Sequence, residues 1–190
     1  MSETRRTEPT ELTAATRNQL RSARRLLQRK ERVRREEFLA EGPQAVREAL
    51  AEPGRVRRLF VTGTTAPVHA ELLAAAQSVG APTSRVTEAE LATVTGTVTP
   101  QGLVAVCRWP PADLAEALTG ARLVAACAAV REPGNAGTVI RCADAFGADA
   151  VVLTAGSVDA TNPKTVRASV GSLFHLPVVA DIELSALVDA

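Results

Sequence analysis

Aromatic residues make up only 3% of this 190-residue chain, which has three cysteines, two histidines and a single tryptophan. Each scarcity closes off a class of function. Cys107, Cys127 and Cys142 lie far apart in apolar stretches, with no CxxC and no Cys/His spacing. They read as buried free thiols, and no metal site is expected. Trp109 precedes Pro110-Pro111 and reads as an anchor for a linker, because one isolated aromatic is not a base-stacking platform. The order of His69 and His175 supports no Ser-His-Asp arrangement, and His175 reads as a packed or hydrogen-bonded residue. Asp144, Asp149, Asp159 and Asp181 lack the spacing of a catalytic carboxylate pair or a metal cage. No run of about 18 apolar residues is present, so no transmembrane helix is indicated. Met1 to Thr16 has no apolar leader core, which makes the cytoplasm the expected compartment. Neither GxGxxG nor Gly-Lys-Ser/Thr occurs, which argues against dinucleotide and P-loop sites.

What is present is a globular composition, 46% hydrophobic, drawn largely from Ala and Val. Small side chains bury less area each, at about 25 cal/mol per Å², so modest stability is expected. The net charge of +1 conceals a segregation. Residues 1–35 carry eleven Arg or Lys against four Glu, whereas the rest carries eleven against seventeen Asp or Glu. A basic stretch of this kind suits an anionic polymer, with salt-dependent binding. A solvated helix without a partner is the competing reading.

Hydrophobic spacing and turn residues divide the chain as follows. Residues 1–13 read as frayed. A helix is expected from about Thr13 to Glu37, ending before Gly42-Pro43, then a short helix from Gln44 to Leu50. Val56 to Val61 reads as a strand, and a helix follows from about Pro67 to Val79. Thr87 and Glu90 have capping-box spacing before a helix from Glu88 to Val94. Gln101 to Arg108 closes a small α/β domain, 14–108. Residues 109–120 form a linker. A second α/β unit, 121–190, starts with an apolar strand, Arg122 to Val130, expected to be buried. The Gly134–Gly137 turn, a helix from Thr138 to Phe146 and a strand from Ala150 to Thr154 complete a βαβ unit. A short helix from Thr165 to Val170 and a strand entered at Pro177-Val178-Val179 follow.

Two loops stand out. Pro133-Gly134-Asn135-Ala136-Gly137 follows a strand and opens a helix, where open parallel sheets place ligands. Gly134 and Gly137 permit a tight turn and close backbone approach. Asn135 can cap the helix, and Arg141 can reach a phosphate or a ribose. The second loop carries Asn162, Lys164, Arg167, Ser169 and Gly171, with Lys164 and Arg167 three apart on one helical face. A purely structural strand–turn–helix remains the alternative for both.

These residues carry a resemblance. PGNAGTVIRCADAFGA resembles the first signature of the SpoU/TrmH-type RNA 2′-O-ribose methyltransferases of the SPOUT superfamily, and NPKTVRASVGSLFHLPV resembles their next stretch. RRLLQRKERVRREEFLAEGPQAVREAL and VTGTVTPQGLVAVCR resemble the opening and close of an L30e-like RNA-binding domain carried by some members. The resemblance implies an α/β fold: an L30e-like domain followed by a SPOUT-type parallel sheet, with a C-terminal trefoil knot in complete members. It implies methyl transfer from S-adenosylmethionine to a ribose 2′-hydroxyl of rRNA, or of tRNA, by a homodimer without metal or membrane. Asn135 and Arg141 would be the catalytic residues, with Gly134, Gly137, Ser169 and Gly171 shaping the loops. RNA would be held by Arg21, Arg24, Arg25, Arg29, Lys30, Arg32, Arg34 and Arg35, and by Lys164 and Arg167. The donor-binding signatures have no counterpart up to Ala190 and are expected beyond it, so this chain itself is not expected to bind the donor. A non-catalytic RNA-binding protein made of the same domains is the alternative.

Overall fold

The computed structural model describes residues 12–109 and 111–189. The first unit contains α1 (Arg17–Arg25), α2 (Arg29–Arg35), β1 (Glu37–Glu41), α3 (Pro43–Ala51), β2 (Val56–Thr62), α4 (Ala70–Ser78), β3 (Thr83–Val86), α5 (Glu88–Thr95) and β4 (Leu103–Arg108). Its sheet has the order β1-β4-β2-β3, with β4 antiparallel to both neighbours and β2 parallel to β3. The second unit contains α6 (Leu114–Leu118), β5 (Val124–Cys127), α7 (Pro133–Ala145), β6 (Ala150–Thr154), α8 (Pro163–Ser169), a 3-10 turn (Ser172–Phe174), β7 (Val178–Ile182) and α9 (Leu184–Val188). Its sheet, β5-β6-β7, is parallel throughout. The expected α/β class is observed, as is the parallel sheet of the second unit, while the first sheet is mixed.

Side-chain alternation along β4 divides the first core. Leu103, Ala105 and Cys107 enter one cluster, while Val104 and Val106 enter another with Leu26, Phe60 and Leu91 beneath α1 and α5. The first cluster does not stop at the unit boundary. It joins Phe38, Val46 and Leu59 to Ile140, Leu153 and Val166 of the second unit. Phe38 stacks on Phe174 at 5.8 Å and meets Trp109 edge-on at 5.6 Å. Trp109 therefore anchors the linker as expected, and the two sheets share one continuous apolar core.

Several expectations are corrected. The single helix from Thr13 to Glu37 is two helices. Leu26, Leu27 and Gln28 form i→i+3 bonds to Ala23, Arg24 and Arg25, which turns the chain and drives Leu26 to full burial. α1 has its own capping box, Thr16 with Gln19. β1 was missed because it is five residues long and follows directly on Glu36, a left-handed residue that ends α2. β3 was missed as a short strand after the Gly80-Ala81-Pro82 break. α4 starts at Ala70 because residues 63–69 are turns. The apolar β5 is not buried: it is an edge strand, and Ala126 is exposed. The fully buried strand is β6, at the centre. The Thr87–Glu90 capping box forms as read. Among the described residues no helix is long and apolar enough to cross a membrane.

Candidate functional site

β5 and β6 are parallel, so both carboxyl ends lie on one rim of the sheet. The loops that leave this rim are bonded to each other. Val158 donates its amide to the Val130 carbonyl at 2.7 Å, and Val130 donates to the Ser157 hydroxyl at 3.2 Å. Ala129, with φ +50°, donates to the Thr154 hydroxyl at 2.9 Å. The segments that leave β5 and β6 are thus bonded together along this rim.

α7 leaves the first loop and α8 the second. Lys164 pairs with Glu132 across them. The hydrogen bond from Lys164 and its charge hold the Glu132 carboxyl below the usual carboxylate range. The Gly134–Gly137 stretch was expected to be a turn, with the helix starting at Thr138. It is the first turn of α7 instead, which begins at Pro133, a residue suited to that position because it has no N–H to leave unpaired. Gly137 serves close approach: a Cβ there would lie 2.4 Å from the Thr165 carbonyl and 2.6 Å from the Ala168 Cβ. Gly134 has no such constraint, its nearest neighbour being 3.8 Å away.

Asn135 does not cap α7, because Glu132 holds the capping position. Asn135 and Arg141 are both exposed on α7. Helix geometry separates them by about 9 Å along the axis and about 120° around it. They therefore flank a surface rather than contact one another. Arg141 joins no ion pair among the described residues, so its donors are free for an anion. A guanidinium, as a permanent cation with no free acceptor for a proton, suits positioning and charge stabilisation better than proton abstraction.

In the second loop, the Asn162 side chain caps α8 by accepting the Lys164 amide at 2.9 Å. Ser169 is buried and donates to the Val166 carbonyl at 2.8 Å. Gly171 has φ +98°, and a Cβ there would lie 2.6 Å from the Glu48 side chain, so this glycine lets the two units touch. Arg167 turns toward the first unit. Its Nη1 donates to Glu41 Oε2 at 3.2 Å and to Thr97 Oγ1 at 3.3 Å.

The basic face divides into two groups. Arg21, Arg24, Arg25, Arg29, Lys30 and Arg34 are exposed. Arg25 and Arg34 share Glu31, whose carboxyl is lowered chiefly by the hydrogen bond from Arg34. Arg35 is half-buried against the Ser22 carbonyl and Glu37. Arg32 is withdrawn from the RNA-facing set, since its side chain is only 4% exposed and reaches inward. It donates to Asp159 Oδ2 at 2.7 Å, to Thr161, and to the Leu26 and Leu27 carbonyls at 2.9 and 3.0 Å. Those carbonyls are released where α1 ends, so a buried guanidinium replaces lost helix bonds and ties both units together. Burial raises the Asp159 pKa, but the bonds from Thr161 and Arg32 outweigh it and the net shift is downward. His175 bridges Glu48 of α3 and Asp144 of α7 at 3.1 and 2.7 Å, which fits its reading as a hydrogen-bonded residue.

Two grooves run beside Trp109 and the linker. One, of about 390 Å³, is lined by residues including Arg29, Val33 and Asp181; the other, of about 340 Å³, by residues including Arg55 and His175. Neither is lined by Asn135 or Arg141. Among the described residues no three His, Cys, Asp or Glu side chains gather as metal ligands.

Comparison with known proteins places both units. Residues 17–105 match the MRM3-like substrate binding domain, and residues 122–189 match the SpoU rRNA Methylase family. The chain is 44% identical over 151 residues to the 23S rRNA (guanosine(2553)-2′-O)-methyltransferase RlmP of Bacillus subtilis, a match covering 80% of this chain and 57% of RlmP. It is 43% identical over 91 residues to the mitochondrial rRNA methyltransferase 3A of Danio rerio, covering 45% of this chain and 21% of that protein. Its fold is similar to that of an AdoMet-bound rRNA methyltransferase from Sinorhizobium meliloti, with a TM-score of 0.79 and 28% identity over 94% of this chain and 66% of that one. It is also similar to an RNA 2′-O ribose methyltransferase, with a TM-score of 0.72 and 30% identity over 94% of this chain and 67% of that one.

Proposed function

Because the chain belongs to the SpoU rRNA methylase family, we propose that the protein transfers a methyl group from S-adenosylmethionine to a ribose 2′-hydroxyl of ribosomal RNA. The part assigned to this chain is to hold the RNA and to place the ribose. One observation carries the reading: Arg141, exposed and free of ion pairs among the described residues, stands on the helix that leaves the paired loops at the sheet rim.

The exposed arginines of α1 and α2 supply sequence-independent attraction for the RNA backbone. Asn135 offers an amide that can donate to and accept from a ribose, and the 2′-hydroxyl is the group that distinguishes RNA at such a site. Arg141 would hold the adjoining phosphate and stabilise charge developing on the hydroxyl oxygen. Placement of this kind provides much of the rate in a displacement that needs in-line alignment. S-adenosylmethionine, when bound, supplies the electrophilic methyl group. The grooves along the linker do not include the Asn135 and Arg141 surface. The relatives named as 23S rRNA and mitochondrial rRNA enzymes support rRNA ahead of tRNA as substrate. A homodimer working in the cytoplasm completes the proposal.

The test is methyl transfer from labelled S-adenosylmethionine to ribosomal RNA by the protein as its gene encodes it, followed by alkaline hydrolysis. A 2′-O-methyl group blocks alkaline cleavage, so label in alkali-stable dinucleotides is expected. Label in ordinary mononucleotides would place the methyl on a base and overturn the proposal. RNA binding without any transfer would favour the non-catalytic RNA-binding reading.

A further inference from the structure

Glu41 is a buried carboxylate at the seam between the two units, with its side chain 5% exposed. Its Oε2 accepts from Thr97 Oγ1 at 3.0 Å and from Arg167 Nη1 at 3.2 Å. Its Oε1 is buried and has no hydrogen-bond partner among the described residues. A carboxylate kept out of water with one oxygen unsatisfied is a poor way to gain stability, since an apolar residue of similar volume is often neutral or better there. Its effect on Arg167 gives it a purpose. Arg167 is fastened through Nη1 alone, by Glu41 and by Thr97 at 3.3 Å, and its side chain remains 37% exposed. No protein partner holds its Nε or Nη2 among the described residues. The Nε/Nη2 edge is one of the edges through which a guanidinium grips a phosphate with two parallel hydrogen bonds. One helical turn away on α8, Lys164 is paired to Glu132 at the loop that precedes Asn135.

We propose that Glu41 and Thr97 of the first unit are positioning residues that hold Arg167 of the second unit as a pre-oriented clamp for an RNA phosphate at the seam. The inference rests on the RNA-methylating reading and adds to it a phosphate subsite built jointly by both units. Fixing the guanidinium before RNA arrives removes the ordering cost that a free arginine incurs on binding.

The position of the negative charge makes the test decisive. If Glu41 acted on RNA only through its charge, Glu41→Gln would strengthen RNA binding by removing a repulsive carboxylate. A positioning role requires the opposite sign. Binding of a fluorescent ribosomal-RNA hairpin would be measured across a salt series for wild type, Arg167→Ala, Glu41→Gln and Thr97→Val, with thermal melts of each. Arg167→Ala should weaken binding by roughly tenfold and lower the magnitude of the log–log salt slope by about 1. Glu41→Gln and Thr97→Val should each weaken binding by about threefold, smaller than the loss of the arginine itself. Thr97→Val keeps the Glu41–Arg167 ion pair and removes only the hydroxyl's bonds to its two members, and the melts separate a loosened clamp from a loosened fold. Unchanged binding in Arg167→Ala, or tighter binding in Glu41→Gln, overturns the clamp while leaving the functional reading intact. A wild-type protein that fails to bind RNA at any salt overturns both.

Discussion

Removing the Asp159 carboxylate should cost this protein a large share of its stability. Arg32 is 4% exposed, and Asp159 is the carboxylate that meets its guanidinium, through Nε at 3.1 Å and Nη2 at 2.7 Å. In Asp159→Ala the two backbone carbonyls and Thr161 remain as acceptors, but the charge has no counter-ion. Leaving one partner of a buried pair alone costs about 3–5 kcal/mol. A domain of this kind has only about 5–15 kcal/mol in total. Because the pair links α2 to the loop after β6 and the apolar core runs through both units, the loss should appear in one cooperative transition. Urea unfolding followed by circular dichroism measures it. A double variant, Arg32→Met with Asp159→Leu, should recover only part of the loss, since hydrocarbon can replace the ion pair but leaves the Leu26 and Leu27 carbonyls without their donor. The pair also has a pH signature. The folded Asp159 pKa is lowered, so its contribution is present above the ordinary carboxylate value and is lost as pH falls through the lowered one. A loss below about 1 kcal/mol in Asp159→Ala, the range of an exposed pair, would refute the assignment of Arg32 as a buried tie between the units.

Other consequences follow from the same contacts. Gly137→Ala should destabilise by about 1–3 kcal/mol in denaturant titration, because its Cβ would lie 2.4 Å from a backbone carbonyl that cannot rotate away. A Gly134→Ala control, whose Cβ would meet only ordinary contacts from 3.8 Å outward, should not destabilise, and equal losses would mean that α7 and α8 are not so tightly opposed. The His175 pKa is raised, first by its hydrogen bond to Glu48 and also by Asp144. Its stabilising effect is therefore complete below about 6.5, the free-histidine value, and fades as pH rises through the raised one. The melting temperature should drop slightly across that window in wild type but not in His175→Gln. The side chain is 42% exposed, so the effect should stay below about 1 kcal/mol.

The parts of this fold legible in the sequence are those set by local chemistry. The Thr87–Glu90 box and the apolar run of β6 read correctly because neighbours within a few residues decide them, and the helix expected from Thr165 is present but starts two residues earlier, at Pro163, behind its Asn162 cap. The parts that were not legible depend on distant partners. The break between α1 and α2 is repaired by Arg32, which is fixed by an aspartate 127 residues away. Glu41 meets Arg167 across 126 residues, and no spacing rule marks it. β5 was read as buried from its apolar residues, but sheet order rather than composition decides which strand is central. The glycines before Arg141 read as a turn because glycine usually marks one. The close approach read for Gly137 does occur, but the element that approaches, α8, is visible only when both helices are in place.

The most direct test concerns whether the α7 surface reads a ribose. A ribosomal-RNA hairpin and the same sequence as DNA would compete for wild type and for Asn135→Ala at one fixed salt concentration. Wild type should prefer the RNA, and the substitution should erode that preference while leaving the exposed arginines of α1 and α2 to bind both polymers. Equal affinity of wild type for RNA and DNA, or an undiminished preference in Asn135→Ala, would contradict ribose recognition at this site.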